Sequence, residues 1–362
     1  MGMTMHDLDL ALLDGWQHGF PRVPRPFAAL AGTLGCSEAR VLEGYRRLAA
    51  QGAFDRIGGV WAPGAGGASL LCAMAVEPPR LDAVAAQVSA CAGVNHNYAR
   101  EHRFNLWFVL TAPDAAALEQ ALRTIEAATG VAALRLPMRR VYRIDLGFGL
   151  RGRRGEGEGA RCASAVSRRG EPVAAADRAL AAAIEAGLPL ASAPYAALAQ
   201  ACGRTEAEVL ATLEGWLACG TLRRFGVVVR HHELGYDCNA MTVFHLPEDR
   251  IDAHGERLAA QPGVTLAYRR APAPGWPYAL YAMVHGRSRD DTRTTLAAAM
   301  RASGLDRVPH EVLFSTRRYT QRGGRYFRAL PVADLPAADV SAADAPVAAL
   351  PVLAQEAAHV PA

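Results

Sequence analysis

Hydrophobic positions along this chain fall into two alternating rhythms. Leu8, Leu12 and Leu13 keep helical spacing until Gly19-Phe20-Pro21 interrupts it. Pro26 then opens a short apolar helix, "PFAALAGTLGC". The next segment, "SEARVLEGYRRLAAQG", predicts a longer helix with Ser37 as N-cap and Gly52 as its stop. A strand, "DRIGGVWAP", follows. Two short helices, a turn, a longer helix and a strand describe a winged helix-turn-helix. Beyond it the rhythm switches to strand alternation at Leu70–Val76, followed by a helix over Pro79–Ala92 and strands over Gly93–Arg100 and Phe104–Thr111. A helix over Ala115–Thr129 and a strand over Leu134–Tyr142 complete the order β-α-β-β-α-β, a ferredoxin-like sandwich with one sheet face under helices and the other open.

The whole pattern occurs twice. Ala28-Ala29-Leu30-Ala31 returns as Ala196-Ala197-Leu198-Ala199, an offset of 168, and "GVNHNYAR" from Gly93 returns as "GVTLAYRR" from Gly263, an offset of 170. A repeated unit of about 150 residues is too long for a solenoid, and two fused domain pairs packing on each other are expected. The predicted fold class is α+β, a tandem duplication of winged helix-turn-helix plus ferredoxin-like sandwich packed as an intramolecular pseudo-dimer. The expected boundaries are winged helices at 5–64 and 172–232 and ferredoxin-like domains at 68–150 and 236–328. A Gly- and charge-rich linker is expected at 151–171 and an Ala/Pro-rich disordered tail at 329–362.

Composition narrows the function classes. The chain has 362 residues, is 51% hydrophobic and contains no apolar run long enough to span a bilayer. Its start, "MGMTMHDLDL", carries acids early and lacks the basic-then-apolar order of an export signal, so a cytoplasmic location is expected. Seven scattered cysteines without a CxxC pair argue against a zinc site or a disulfide framework, and most read as small core residues. No lysine occurs, so all 39 basic residues are arginine. No Schiff-base lysine is therefore available, whereas bidentate carboxylate recognition is widely available.

The third helix of each winged domain would read DNA if either did. The first copy offers Arg40, Arg46 and Arg47, whereas the second carries Glu206, Glu208 and Glu214, which repel phosphates. DNA binding is therefore not expected, and the winged helices read as packing modules.

Three clusters carry candidate chemistry. The wing of the second copy holds Arg230, His231 and His232, where the first copy has Ala62 and Pro63 at the places matching Arg230 and His231. Adjacent histidines on a wing are often merely solvated, but an arginine beside an imidazole supplies both a carboxylate anchor and a proton donor. Strand alternation places His96, Tyr98 and Arg100 on one sheet face, matched by Leu266, Tyr268 and Arg270, with Trp107, Trp276 and Tyr281 nearby. Such residues commonly serve packing, yet here they decorate the open face that a flat anionic ligand would use. The third cluster comprises the doublets Arg139-Arg140 and Arg317-Arg318 with Arg322, Arg325 and Arg328, whose plain reading is charge protecting an edge strand.

The domain order resembles the Lrp/AsnC regulators. More specifically, "GVNHNYAREHRFNLWFVL" and "RRFGVVVRHHELGYDCNAM" with "GVTLAYRR" and "WPYALYAMVHG" resemble the siroheme decarboxylase family in its fused two-subunit form, over roughly residues 5–328. The resemblance implies decarboxylation of the two acetates at C12 and C18 of siroheme, giving 12,18-didecarboxysiroheme for heme d1 synthesis. It implies no added cofactor, because the iron arrives with the substrate, and no protein metal site. The candidate catalytic residues are His231, His96 and Arg230. The candidate substrate contacts are His232, Arg270, Tyr268, Arg100, Tyr98, Tyr281, Trp107 and Asn239. Asn105, common in the family's strand, is Ala279 in the second copy, which leaves open whether that strand still orients substrate. The expected partners are siroheme itself and, beyond it, further copies or other heme d1 enzymes; no membrane contact is expected. The rival readings are a ligand-sensing transcriptional regulator and a non-catalytic tetrapyrrole carrier.

Overall fold

A computed structural model describes residues 4–144, 170–229 and 238–330. The first winged domain contains α1 (Met5–Asp14), α2 (Pro26–Leu34) and α3 (Glu38–Ala50). Thr4 and Ser37 cap α1 and α3 by accepting from the Asp7 and Arg40 N–H groups, and Gly35, at φ +64°, ends α2. The second domain repeats this as α6 (Arg178–Ala186), α7 (Pro194–Cys202) and α8 (Glu206–Ala218), the last opened by a Thr205–Glu208 capping box. The two domains share one core. Phe20 meets Phe27 and Phe225 edge-on, and the Tyr195 hydroxyl donates to the Pro21 carbonyl.

The wings depart from the expected form. Strand β1 (Phe54–Trp61) and strand β7 (Leu222–Val229) pair antiparallel with each other, so each copy's wing is completed by the other. Gly58 lies opposite Gly226 in this ribbon. A Cβ at Gly58 would stand 2.8 Å from the Ile184 carbonyl oxygen, and one at Gly226 would collide with that of Trp16. Backbone near the end of α6 and in the turn after α1 thus abuts the ribbon where only glycine fits.

The remaining elements form one sheet of nine strands. The first half supplies β2 (Ala68–Met74), α4 (Leu81–Ala90), β3 (Val94–Arg100), β4 (Leu106–Ala112), α5 (Ala115–Thr129), β5 (Ala133–Leu136) and β6 (Met138–Ile144). The second supplies β8 (Cys238–Phe244), α9 (Glu248–Ala259), β9 (Val264–Arg270), β10 (Leu280–Gly286), α10 (Arg289–Ser303) and β11 (His310–Gln321). The order is β5-β2-β4-β3-β11-β8-β10-β9-β6. Each half's last strand crosses to the other: His310–Phe314 pairs with β8 and Ser315–Gln321 with β3, while β5 pairs with β2 and β6 with β9. Pro137, which has no N–H to donate, sits at the break between β5 and β6.

This crossing corrects the edge-strand reading for Arg317-Arg318 alone, since Arg139-Arg140 lie on β6, which is an edge strand of the sheet. β11 is an interior strand, and Arg317 pairs with Asp82 on α4 of the other half at 2.7 Å. Arg140 likewise reaches Asp252 and Glu256 on α9 at 2.8 and 2.7 Å. Both pairs are largely solvated, so they fix register between halves more than they add stability.

Helices cover one face of each half-sheet, over separate cores around Phe108 and Phe244. The opposite faces meet in a further core of Leu71, Ala73, Trp107, Met241, Val243, Tyr268, Trp276, Tyr281 and Met283. The face expected to lie open toward a ligand is therefore largely packed against its counterpart in the other half. Of the six cysteines among the described residues, Cys72 and Cys91 are buried, Cys36, Cys202 and Cys238 are half-buried, and Cys219 is exposed, so fewer of these are core residues than expected. No helix among the described residues is long and apolar enough to cross a membrane.

Candidate functional site

Cross-strand partners share a sheet face, and this register assembles a polar row across the inner face. His285 on β10 stands opposite Asn239 on β8. Asn239 Oδ1 accepts from the Ser315 hydroxyl at 2.7 Å, and Ser315 on β11 stands opposite Arg100 on β3. Toward the end of β11, Arg318 faces Tyr98 and Gln321 faces His96. Gln321 Oε1 accepts from Arg318 at 3.2 Å and from the Tyr98 hydroxyl at 3.4 Å. The His96 ring stacks on Tyr98 with centroids 6.3 Å apart. Imidazole, guanidinium, phenol and amide groups thus follow the inner edge of β11 from Ser315 to Gln321, a length of roughly 20 Å at strand spacing.

His285 is oriented within this row. The Thr265 hydroxyl donates to the Met283 carbonyl at 3.0 Å, so its oxygen accepts from the His285 Nδ1–H at 2.8 Å. The first copy has no imidazole there. Thr111 occupies the corresponding strand position, its hydroxyl donating to the Gly93 carbonyl and accepting from the Arg325 N–H.

Arg100 and Arg270 are symmetry mates and both are buried. Arg100 donates to the Leu313 carbonyl at 2.9 Å and Arg270 to that of Leu136 at 2.7 Å, each reaching a crossing strand. Arg100 stands over the Tyr98 ring at 5.7 Å, and Arg270 over Tyr268 at 4.7 Å. Burial pushes the Arg100 guanidinium down to about 10, so it stays cationic at neutral pH. The Nε of each has no hydrogen-bond partner among the described residues.

The other predicted residues divide as follows. Arg230, His231 and His232 lie outside the described residues, as do most of the linker and tail. Tyr268, Tyr281 and Trp107 stand in the inter-sheet core, where the Tyr281 hydroxyl accepts from Trp276 Nε1 at 2.7 Å. Burial pushes the Tyr281 phenol up. Asn105 does not point at the inner face. Its side chain accepts from the Val76 N–H and donates to the Val76 carbonyl, at 2.9 and 2.8 Å, pinning the end of β2. Ala279 lacks that clamp and lines a cavity of about 510 Å³ with His245, Arg269 and Arg270. Arg322 and Arg328 are structural: Arg322 caps carbonyls after α4, and Arg328 pairs with buried Glu185.

Thr265, His285, Ser315 and Gln321 carry no mark in the sequence reading, and Arg318 entered it only as part of an arginine doublet. His285 was within reach, because it follows Tyr281 and Met283 at the strand period of two. The regulator reading loses its contacts. Arg46 donates to the Leu190 carbonyl at 2.9 Å and Arg47 pairs with Asp9, so two of three arginines on α3 are committed internally.

Comparison with known proteins agrees with this architecture. An AsnC-like ligand binding domain matches residues 65–143 and 233–320, and a siroheme decarboxylase NirDL-like HTH domain matches 9–54 and 177–223. The siroheme decarboxylase NirDL subunit of Paracoccus denitrificans is 47% identical over 324 residues, covering 89% of this chain and 98% of that protein. The NirD subunit of Pseudomonas aeruginosa is 53% identical over 146 residues, covering 40% of this chain and 97% of its own. The crystal structure of siroheme decarboxylase NirDL with an iron-uroporphyrin III analogue superposes with a TM-score of 0.62 at 27% identity, over 90% of this chain and 95% of that one. A duplicated helix-turn-helix and AsnC-like chain, matched over 89% of its length by a siroheme decarboxylase NirDL subunit at 47% identity, belongs to the siroheme decarboxylase family.

Proposed function

We propose that this chain removes carbon dioxide from the C12 and C18 acetate side chains of siroheme, leaving methyl groups and forming 12,18-didecarboxysiroheme. What carries the reading is the near end-to-end match, at 47% identity, to a siroheme decarboxylase subunit. The arginine- and imidazole-bearing row beside an aromatic core supports it, because the substrate is a broad apolar ring fringed with carboxylates. Iron enters with the substrate, and no further cofactor is proposed.

In each step the bond between the acetate methylene and its carboxylate breaks. The electron pair passes to the methylene carbon, in conjugation with the ring, and one proton must reach that carbon. We assign the carboxylate anchors to Arg230 and Arg270, with Arg100, His232 and Asn239 as further contacts and Tyr98, Tyr268, Tyr281 and Trp107 as apolar walls. His231 is assigned as proton donor and His96 as a second acid or an iron contact. The packed inter-sheet core keeps water from the surrounding faces, which strengthens these charge contacts. His231→Ala should abolish turnover while siroheme still shifts its absorbance on binding; undiminished turnover would remove His231 from this role. The regulator alternative finds no support in the internally committed Arg46 and Arg47 or in the acidic α8.

A further inference from the structure

The two halves differ sharply on the helix side of their first crossing strands. Helices α5 and α10 are each 15 residues long and correspond position by position. In the first half, Arg135 on β5 fills the space below α5 and pairs with Glu119 at 3.0 Å and Glu126 at 2.8 Å. At the matching places the second half has Val312, Arg293 and Met300. Strand register also matches Ala133, opposite Met74, with His310, opposite Phe244. The ion-paired plug is thus replaced by a groove of about 580 Å³. Its floor is Leu296, Met300, Val312 and Phe314, and its rim is Arg293, Arg301 and His310 beside Arg289, whose guanidinium is already paired with Glu101, with Asp306 the one acid in the lining.

His310 is held at one ring nitrogen by the backbone. Its Nδ1 lies 2.7 Å from the Val308 carbonyl, which can only accept, so in the neutral ring the proton sits on Nδ1 and the lone pair on Nε2. An imidazole whose Nδ1–H is held by a backbone carbonyl is the usual arrangement of a metal-ligating histidine. Arg289 and Arg293 stand over the Phe314 ring at 4.1 and 5.4 Å.

We propose that this groove is a second binding site, for an iron tetrapyrrole bearing carboxylates, with His310 Nε2 ligating the iron and Arg293 and Arg301 holding the carboxylates. Apolar floor, cationic rim and one oriented imidazole match the ring, its acids and its metal respectively, and the volume lies within the range of small-ligand pockets. The groove is on the opposite face of β11 from the inner row: Phe314 lines it, while neighbouring Leu313 belongs to the inter-sheet core. It therefore holds a ligand without blocking that row.

The test titrates the full chain with iron-uroporphyrin and, separately, metal-free uroporphyrin, following absorbance and stoichiometry. Two equivalents of the iron compound should bind the parent chain. His310→Ala should weaken the second at least tenfold while leaving metal-free binding and single-turnover siroheme decarboxylation unchanged. Arg293→Glu with Arg301→Glu should weaken the second equivalent of both compounds. A single equivalent in the parent chain, or a second equivalent indifferent to His310→Ala, overturns the proposal. If neither compound binds and siroheme is not consumed, the decarboxylase reading falls as well, so the two failures are distinguishable.

Discussion

Replacing Glu185 by Ala should detach the segment that follows β11. Glu185, on α6, is 1% exposed, and its carboxylate accepts the backbone N–H groups of Tyr326, Phe327 and Arg328 together with Arg328 Nε. Those contacts seat Phe327 in the winged-domain core, 4.6 Å from the Trp61 ring and tight against Gly66. Removing the acceptor leaves the Tyr326 and Phe327 N–H groups buried and unmatched, at about 1–3 kcal/mol each. Allowing for some water entry, the variant should lose about 3–5 kcal/mol, the range for breaking one side of a buried charged pair. Glu185→Gln keeps one acceptor oxygen and should lose about 1–2 kcal/mol. Urea unfolding gives the totals, and hydrogen exchange at the amides of residues 326–328 gives the location. If Glu185→Ala changes stability by less than about 1 kcal/mol with those amides still protected, the carboxylate does not hold the segment.

Asn105→Ala should lower stability by about 1–2 kcal/mol, because two backbone groups of Val76 lose their partner. Unfolding measurements check this, and siroheme affinity should be unchanged. Acid sensitivity should follow the plug under α5. The Arg135 guanidinium, opposed by partial burial, holds the Glu126 carboxyl below the ordinary glutamate value. A lowered folded-state value means stability present at neutral pH that disappears as pH falls below about 4.3 toward that lowered value. The urea midpoint of Glu126→Gln should accordingly fall less steeply than that of the parent chain over that interval.

Much of the fold could be read from the residues. Period-two spacing correctly placed His96, Tyr98 and Arg100 on one face, with Asn97 turned to the helix side, where its amide donates to the Ala85 carbonyl. The offset repeat located both sandwiches because each strand carries its own turn signals. Packing of the two halves on each other follows from the duplication, and "SLLCAM" on β2, apolar at both alternations, carries the local mark of a strand covered on both sides. Strand crossing and the shared wing ribbon arise from contacts between halves, and no local propensity specifies those. Pro137 was the one local mark of the crossing. Asn105 shows the opposite limit, since the resemblance drew attention to a residue whose contacts are structural.

Anaerobic incubation of the full chain with siroheme, followed by mass spectrometry of the extracted tetrapyrrole, tests the central claim most directly. The account predicts a product lighter by two molecules of carbon dioxide, with iron retained. Recovery of intact siroheme from a folded, siroheme-binding chain would contradict it.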